Sequence, residues 1–279
     1  MPAKAISDKQ PTALWLVFAT EMWERFSYYA MRSILILYMV YLLGMGKENA
    51  SNLYGTFTSL VYLSTLLGGF LADRYLGQKW AIVIGGLFIA GGMFVMSVPS
   101  LGMLYAAMGC IILGNGFFKP NITAIVGQLY EKNDPRRDGG FTIFYMSVNI
   151  GAFFGPLAVG SFALADNYTV AFWIAGAGMI IGLVLFLLGY KKFMPGVGLP
   201  PTKKPVFYKD PAIWALAGSA ALVALYLTGL HALAWILFAI LAIVYLFYMR
   251  NVKGKKSEGT QPLTKTEKQQ IAVIGIMAF

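Results

Sequence analysis

Eight apolar segments follow one another along the chain, most of them about as long as a helix that crosses a bilayer. They run from Ala13 to Leu43, Leu53 to Ala72, Trp80 to Val98, Leu101 to Tyr130, Phe141 to Ala165, Val170 to Tyr190, Ile213 to Leu230 and Ala232 to Met249. A ninth begins near Lys268 and breaks off at Phe279. About 20 helical residues cross roughly 30 Å of hydrocarbon, so the expected fold class is an all-α, polytopic membrane protein. Composition points the same way, since 58% of the residues are hydrophobic and only 12% are charged, which a soluble domain of 279 residues would not show.

Cation placement orients the spans. With the N-terminus in the cytoplasm, 18 of the 22 Lys and Arg residues fall on cytoplasmic segments and only Lys47 falls outside. Arg25, Arg32 and Lys119 sit within spans. This asymmetry satisfies the positive-inside rule, so the net charge of +10 is mainly topological. The same cations are scattered over short loops beside helices, unlike a soluble basic face with stacking aromatics, so no nucleic-acid partner is expected. The polar start leads into a segment too long for a signal-peptide core and without a small-residue cleavage site, so the first span is expected to remain. Lone Cys110 provides for neither a disulfide framework nor a Cys-based metal site, and reads as packing.

Three parts are expected: a six-helix bundle over 1–190, a stretch over 191–267 in which polar linkers flank a two-helix hairpin at about 211–230 and 232–250, and the start of a further helix over 268–279. Residues 211–249 contain no Asp, Glu, Lys or Arg, so the hairpin is expected to be peripheral to any chemistry. His231, at its tight turn, reads as a junction residue more readily than as a proton relay. Glycine pairs such as Gly85-Gly86 and Gly91-Gly92 read as points of close helix approach.

The chemistry concentrates in Glu21-Met22-Trp23-Glu24-Arg25-Phe26-Ser27-Tyr28-Tyr29, inside the first apolar segment. An ionisable group at membrane depth costs at least ~2.5 to 3.5 kcal/mol by insertion scales, so charges there usually line a polar pathway. At about 100° per helical residue, Glu21, Glu24, Arg25, Tyr28, Tyr29 and Arg32 fall on one face, with spacings of three and four that let neighbours touch. A buried ion pair that only sets helix register would account for one Glu and not for the second. Two carboxylates facing one guanidinium cannot both be neutralised by it, and a group that takes up and releases a proton is what coupling to protons requires. Lys119, beside Pro120 near the middle of the fourth span, is too central for a lysine that merely reaches for the membrane surface.

The motif Glu-x-x-Glu-Arg-Phe-x-Tyr-Tyr over residues 21–29 resembles the first-helix signature of the proton-dependent oligopeptide transporters, within the major facilitator superfamily. Two further segments are similar to that family. Gly68-Gly69-Phe70-Leu71-Ala72-Asp73-Arg74-Tyr75-Leu76-Gly77-Gln78-Lys79 looks like its loop after helix 2, and Phe144-Tyr145-Met146-Ser147-Val148-Asn149-Ile150-Gly151 like its helix 5 signature. Val148 departs from the commoner isoleucine at a packing position. The resemblance implies the N-terminal six-helix bundle of a carrier in the bacterial inner membrane, followed by the extra hairpin of bacterial members and a truncated seventh core helix. It implies proton-coupled symport of di- and tripeptides by alternating access against a C-terminal bundle of the same chain, with the proton as coupling ion and no other cofactor. Glu21, Glu24 and Arg25 would then carry proton coupling, and Arg25 and Lys119 would receive the peptide carboxylate. Asn149 would bind the amino end or backbone, Tyr28, Tyr29 and Tyr62 would line the pocket, and Arg32 would form an extracellular gate with an acid on helix 7. Asp73 and Arg74 would form a cytoplasmic latch that changes with conformation.

Other readings remain open at this point. A relative carrying nitrate or single amino acids would share most of these residues, although both Glu residues favour peptide. An intramembrane enzyme would need more than paired carboxylates, and the chain has one His and neither a His-Glu-x-x-His motif nor a Cys pair, so no metal site and no catalytic residues are expected. A non-transporting assembly subunit would leave the charge cluster unexplained.

Overall fold

The computed structural model describes residues 9–201. Six long helices account for nearly all of them: α1 (Thr12–Leu37), α2 (Lys47–Leu71), α3 (Gln78–Met96), α4 (Leu101–Gln128), α5 (Arg137–Leu164) and α6 (Tyr168–Phe193). The chain divides into two compact units, Met1–Pro205 and Val206–Phe279. The expected hairpin at 211–250 and the helix start at 268–279 lie outside the described residues.

Five of the six helices, α2 to α6, are long and apolar enough to cross a membrane. With 26 residues α1 has the length too, but Glu21, Glu24, Arg25 and Arg32 interrupt its apolar run. Glu21, Glu24 and Arg25 are tolerated because they are buried inside the bundle, where protein groups rather than lipid surround them. Helix starts lie at or before those of the hydropathy reading. The second helix begins at Lys47 rather than Leu53 and the fifth at Arg137 rather than Phe141, because hydropathy marks the hydrocarbon depth while the helix continues into the polar interface. Both α1 and α2 end in a wide π-helical turn, Tyr38–Leu42 and Ala72–Leu76.

Connections are short, and the special backbone angles fall in them. Asp166 has φ 54° ahead of α6, a left-handed conformation that Asp tolerates. Next to it, Asn167 Oδ1 accepts the Val170 N–H at 3.3 Å and caps the helix. Lys191 and Lys192 close the last turn of α6, where cations complement the helix dipole. In the loop before α5, Arg136 clasps Asp134 with contacts of 3.0 and 2.7 Å, and these hydrogen bonds hold the Asp134 carboxyl below its ordinary range.

The packing is symmetric in pattern. Helix α1 rests mainly on α5 and α6, helix α4 mainly on α2 and α3, and α3 and α6 join the two groups. Exchanging α1 with α4, α2 with α5 and α3 with α6 maps this set of neighbours onto itself, as expected for two three-helix repeats within one six-helix half. Equivalent crossings are made without side chains. A Cβ on Gly155 of α5 would lie 2.5 Å from the Phe26 carbonyl of α1. On the other side, a Cβ on Gly68 of α2 would strike the Gly116 carbonyl of α4. Pro120 has no N–H for that carbonyl, so the regular helical hydrogen bond to it is missing at this crossing. Hydrogen bonds reinforce this crossing: Asn121 Nδ2 donates to the Gly68 carbonyl at 3.4 Å and Ser64 Oγ to the Ile112 carbonyl at 2.8 Å. Between helices in an apolar medium, such close backbone approach is a main source of association energy.

Candidate functional site

Halfway along α1, Glu21 is 3% exposed, Glu24 0% and Arg25 4%. The helical repeat places Glu21 Oε1 3.0 Å from Arg25 Nε, and Glu24 Oε2 meets the same nitrogen. One N–H cannot align with two carboxylates. Glu21 Oε2, Glu24 Oε1 and Arg25 Nη2 are therefore left without hydrogen-bond partners among the described residues. Helix α5 helps to bury the group, because Gly151 lets its backbone close on α1, where a Cβ would come within 2.7 Å of Arg25 Cβ.

Two tyrosines extend the cluster toward the far end of α1. The Arg25 guanidinium lies 5.4 Å from the centre of the Tyr28 ring, a cation–π contact that is strengthened by exclusion of water. Tyr29 meets Tyr28 edge to face at 5.6 Å. From α4, half-buried Lys119 acts electrostatically on both Glu21 and Glu24, and its Nζ stands 5.0 Å from the centre of the Tyr62 ring of α2. Tyr62 itself is 55% exposed in the described residues. Two carboxylates, one guanidinium and one ammonium balance formally, so an anion arriving at Lys119 leaves one negative charge too many. Uptake of one proton by the Glu pair would cancel it.

Not every residue singled out from the sequence joins this group. Asn149 is exposed on α5, and no hydrogen bond or ion pair among the described residues ties it to the cluster. Arg32 turns to a residue that sequence reasoning missed: its Nε donates to Tyr54 Oη at 2.5 Å, and its guanidinium lies 5.8 Å from that ring. The helix 7 acid expected to pair with Arg32 is outside the described residues. Tyr54 lies eight residues before Tyr62 on α2, and no sequence signal links it to Arg32.

Asp73 and Arg74 lie in the π-helical turn that ends α2. Asp73 Oδ1 accepts from Gln78 Nε2 at 2.7 Å, and the Arg74 guanidinium is 5.3 Å from the Phe70 ring centre. A strap that sequence reasoning did not anticipate runs past them after α6. The Lys79 N–H donates to the Gly198 carbonyl at 2.9 Å, the Gly198 N–H to Gln128 Oε1 at 3.1 Å and Tyr190 O–H to the Val197 carbonyl at 2.6 Å. Gly77, at φ 77°, makes the turn beneath it, where a Cβ would meet the Pro200 nitrogen at 2.5 Å. The strap ties the ends of α4 and α6 to the start of α3.

This architecture is the six-helix bundle of a major facilitator superfamily transporter. A family model described as the POT family matches residues 79–210. Dipeptide and tripeptide permease A of Pectobacterium carotovorum subsp. carotovorum (strain PC1) is 41% identical over 245 residues, covering 86% of this chain and 48% of the permease. The permease of the same name from Escherichia coli (strain K12) is 38% identical over 225 residues, covering 80% and 45%. Among solved structures, a mutant peptide transporter POT in complex with alafosfalin superposes with a TM-score of 0.73 at 34% identity, covering 100% of this chain and 58% of that one. A POT family transporter in complex with 5-aminolevulinic acid gives a TM-score of 0.73 at 36% identity, covering 84% and 50%. The chain belongs to the POT family and is a multi-pass membrane protein. It spans about half the length of the curated relatives it matches.

Proposed function

We propose that this chain supplies one bundle of a proton-coupled symporter for di- and tripeptides, a carrier rather than an enzyme, in the bacterial inner membrane with its N-terminus in the cytoplasm. The observation that carries the reading is the buried set of Glu21, Glu24 and Arg25 under the field of Lys119. Its charges balance while empty. A peptide carboxylate that engages Lys119 and Arg25 upsets the balance, and protonation of one Glu restores it, so substrate and proton favour each other's binding. In this reading Tyr28, Tyr29 and Tyr62 shape the pocket and Asn149 faces the amino end or backbone of the peptide. Arg32 works as a gate on one side, and the Asp73–Arg74 turn answers to conformation on the other. A C-terminal bundle of the same chain provides the opposite wall, and alternating access arises if peptide and proton bind the two conformations unequally. No cofactor beyond the coupling proton is required.

The test is charge recognition in the full-length protein. Lys119→Ala is expected to weaken binding of dialanine about tenfold, the worth of one charge-assisted hydrogen bond. Dialanine amide, which has no carboxylate, is expected to bind wild type more weakly than dialanine and to lose little further in the variant. Isothermal titration with both ligands reads this directly. Equal losses for both would show that Lys119 does not read the carboxylate.

A further inference from the structure

Buried polar side-chain atoms without a partner are confined, among the described residues, to Glu21, Glu24, Arg25 and Ser27 on α1 and to one residue elsewhere, Asn115 of α4. Asn115 is 1% exposed. Its Nδ2 donates to the Ile111 carbonyl at 3.1 Å, which fixes the carboxamide orientation and leaves Oδ1 as the orphan. An acceptor buried this completely in an apolar bundle is costly unless a donor reaches it in some state of the protein.

Lys119 stands four residues later on the same helix, and side chains at that spacing are neighbours. Helical side chains lean toward the N-terminal end of their helix, so a lysine at this position leans back over Asn115. Its ammonium has three donors, and the Tyr62 ring provides a face for the charge but no acceptor lone pair for those hydrogens. Among the described residues, the buried donors without a hydrogen-bond partner are Arg25 Nε and Nη2, on a side chain that faces α5 at Gly151 and stacks on Tyr28, and the Ser27 hydroxyl, all on α1 rather than on Asn115's own helix. We infer that Asn115 is a positioning residue for Lys119: its carbonyl oxygen, without a donor while the ammonium stands against the Tyr62 ring, is the station that takes up the ammonium when it leaves that ring and no substrate carboxylate is bound. The station competes with the substrate. Neutral, it releases Lys119 to a carboxylate; made anionic, it would retain it.

This inference rests on the carboxylate-reading role proposed for Lys119. Its test is a double-mutant cycle in the full-length transporter, read as the ratio of the dissociation constant of dialanine amide to that of dialanine. Asn115→Asp is expected to narrow this ratio about tenfold, because the anion holds Lys119 away from the substrate. Asn115→Leu, which keeps the branch at Cγ but has no acceptor, is expected to widen it. The two changes have opposite chemistry, so either variant alone, if only one can be purified, reports the sign. In a Lys119→Ala background neither change should move the ratio, a dependence that a merely structural role for Asn115 would not produce. If Lys119→Ala removes the discrimination but the Asn115 variants leave it unmoved, the inference is overturned and the function stands. If Lys119→Ala leaves the discrimination intact, both are overturned.

Discussion

Glu24→Gln, and separately Glu21→Gln, is expected to abolish accumulation of a dipeptide against its gradient while leaving exchange of labelled for unlabelled peptide measurable. Both side chains are withdrawn from solvent, and each keeps an oxygen that Arg25 does not satisfy. A glutamine at either position fills the same space and still offers Arg25 an acceptor, so the bundle should fold. What it cannot do is take up and release a proton as the peptide carboxylate comes and goes. Exchange requires no net proton movement and survives; concentrative uptake does not. Coupling free energies of about 1–3 kcal/mol correspond to roughly 5- to 150-fold, and the loss of accumulation should lie toward the upper end of that range. Proteoliposomes containing the full-length variants, assayed under an inward proton gradient and again under counterflow, separate the two activities. Wild-type accumulation by both variants would mean that neither carboxylate carries the coupling proton.

The largest effect on stability is expected at the crossing of α2 and α4. Gly68→Ala puts a methyl group where the Gly116 carbonyl already sits, and the contact is with backbone rather than with a movable side-chain tip. Overpacking of this kind costs about 1–3 kcal/mol and sometimes more. The crossing also carries Pro120 and the Asn121 and Ser64 hydrogen bonds, so a shift of α2 to make room would break them. Gly91→Ala is the control: a Cβ there meets nothing within 4 Å, and exchanging helical Gly for Ala is otherwise favourable by about 0.5–1 kcal/mol. Thermal unfolding followed by size-exclusion chromatography in detergent should show a clear drop for Gly68→Ala and none for Gly91→Ala. Equal midpoints would contradict the close packing of these helices.

Much of this molecule is written locally. Apolar length predicts the helices, and the spacing of Glu21, Glu24, Arg25 and Tyr28 predicts their meeting on one face, because both depend only on the geometry of a single helix. Partners supplied by another helix are not encoded that way. Nothing in the sequence near Arg32 points to Tyr54, 22 residues away. The strap at Gly198 could not be read from its composition, since its meaning lies in Gln128 and Lys79 on other helices. Asn115 is visible in the sequence only as one more polar residue beside Lys119. Its unpartnered oxygen becomes apparent once α4 is packed and the buried polar atoms outside α1 have been accounted for.

The central claim is that peptide movement is driven by protons through the α1 cluster, and uptake by the wild-type, full-length protein in proteoliposomes tests it most directly. With the interior alkaline relative to the exterior, labelled dialanine should accumulate above its external concentration, and a protonophore should collapse it to the equilibrium level. Uptake that stops at equilibrium with or without the gradient, and that ignores the protonophore, would contradict the account.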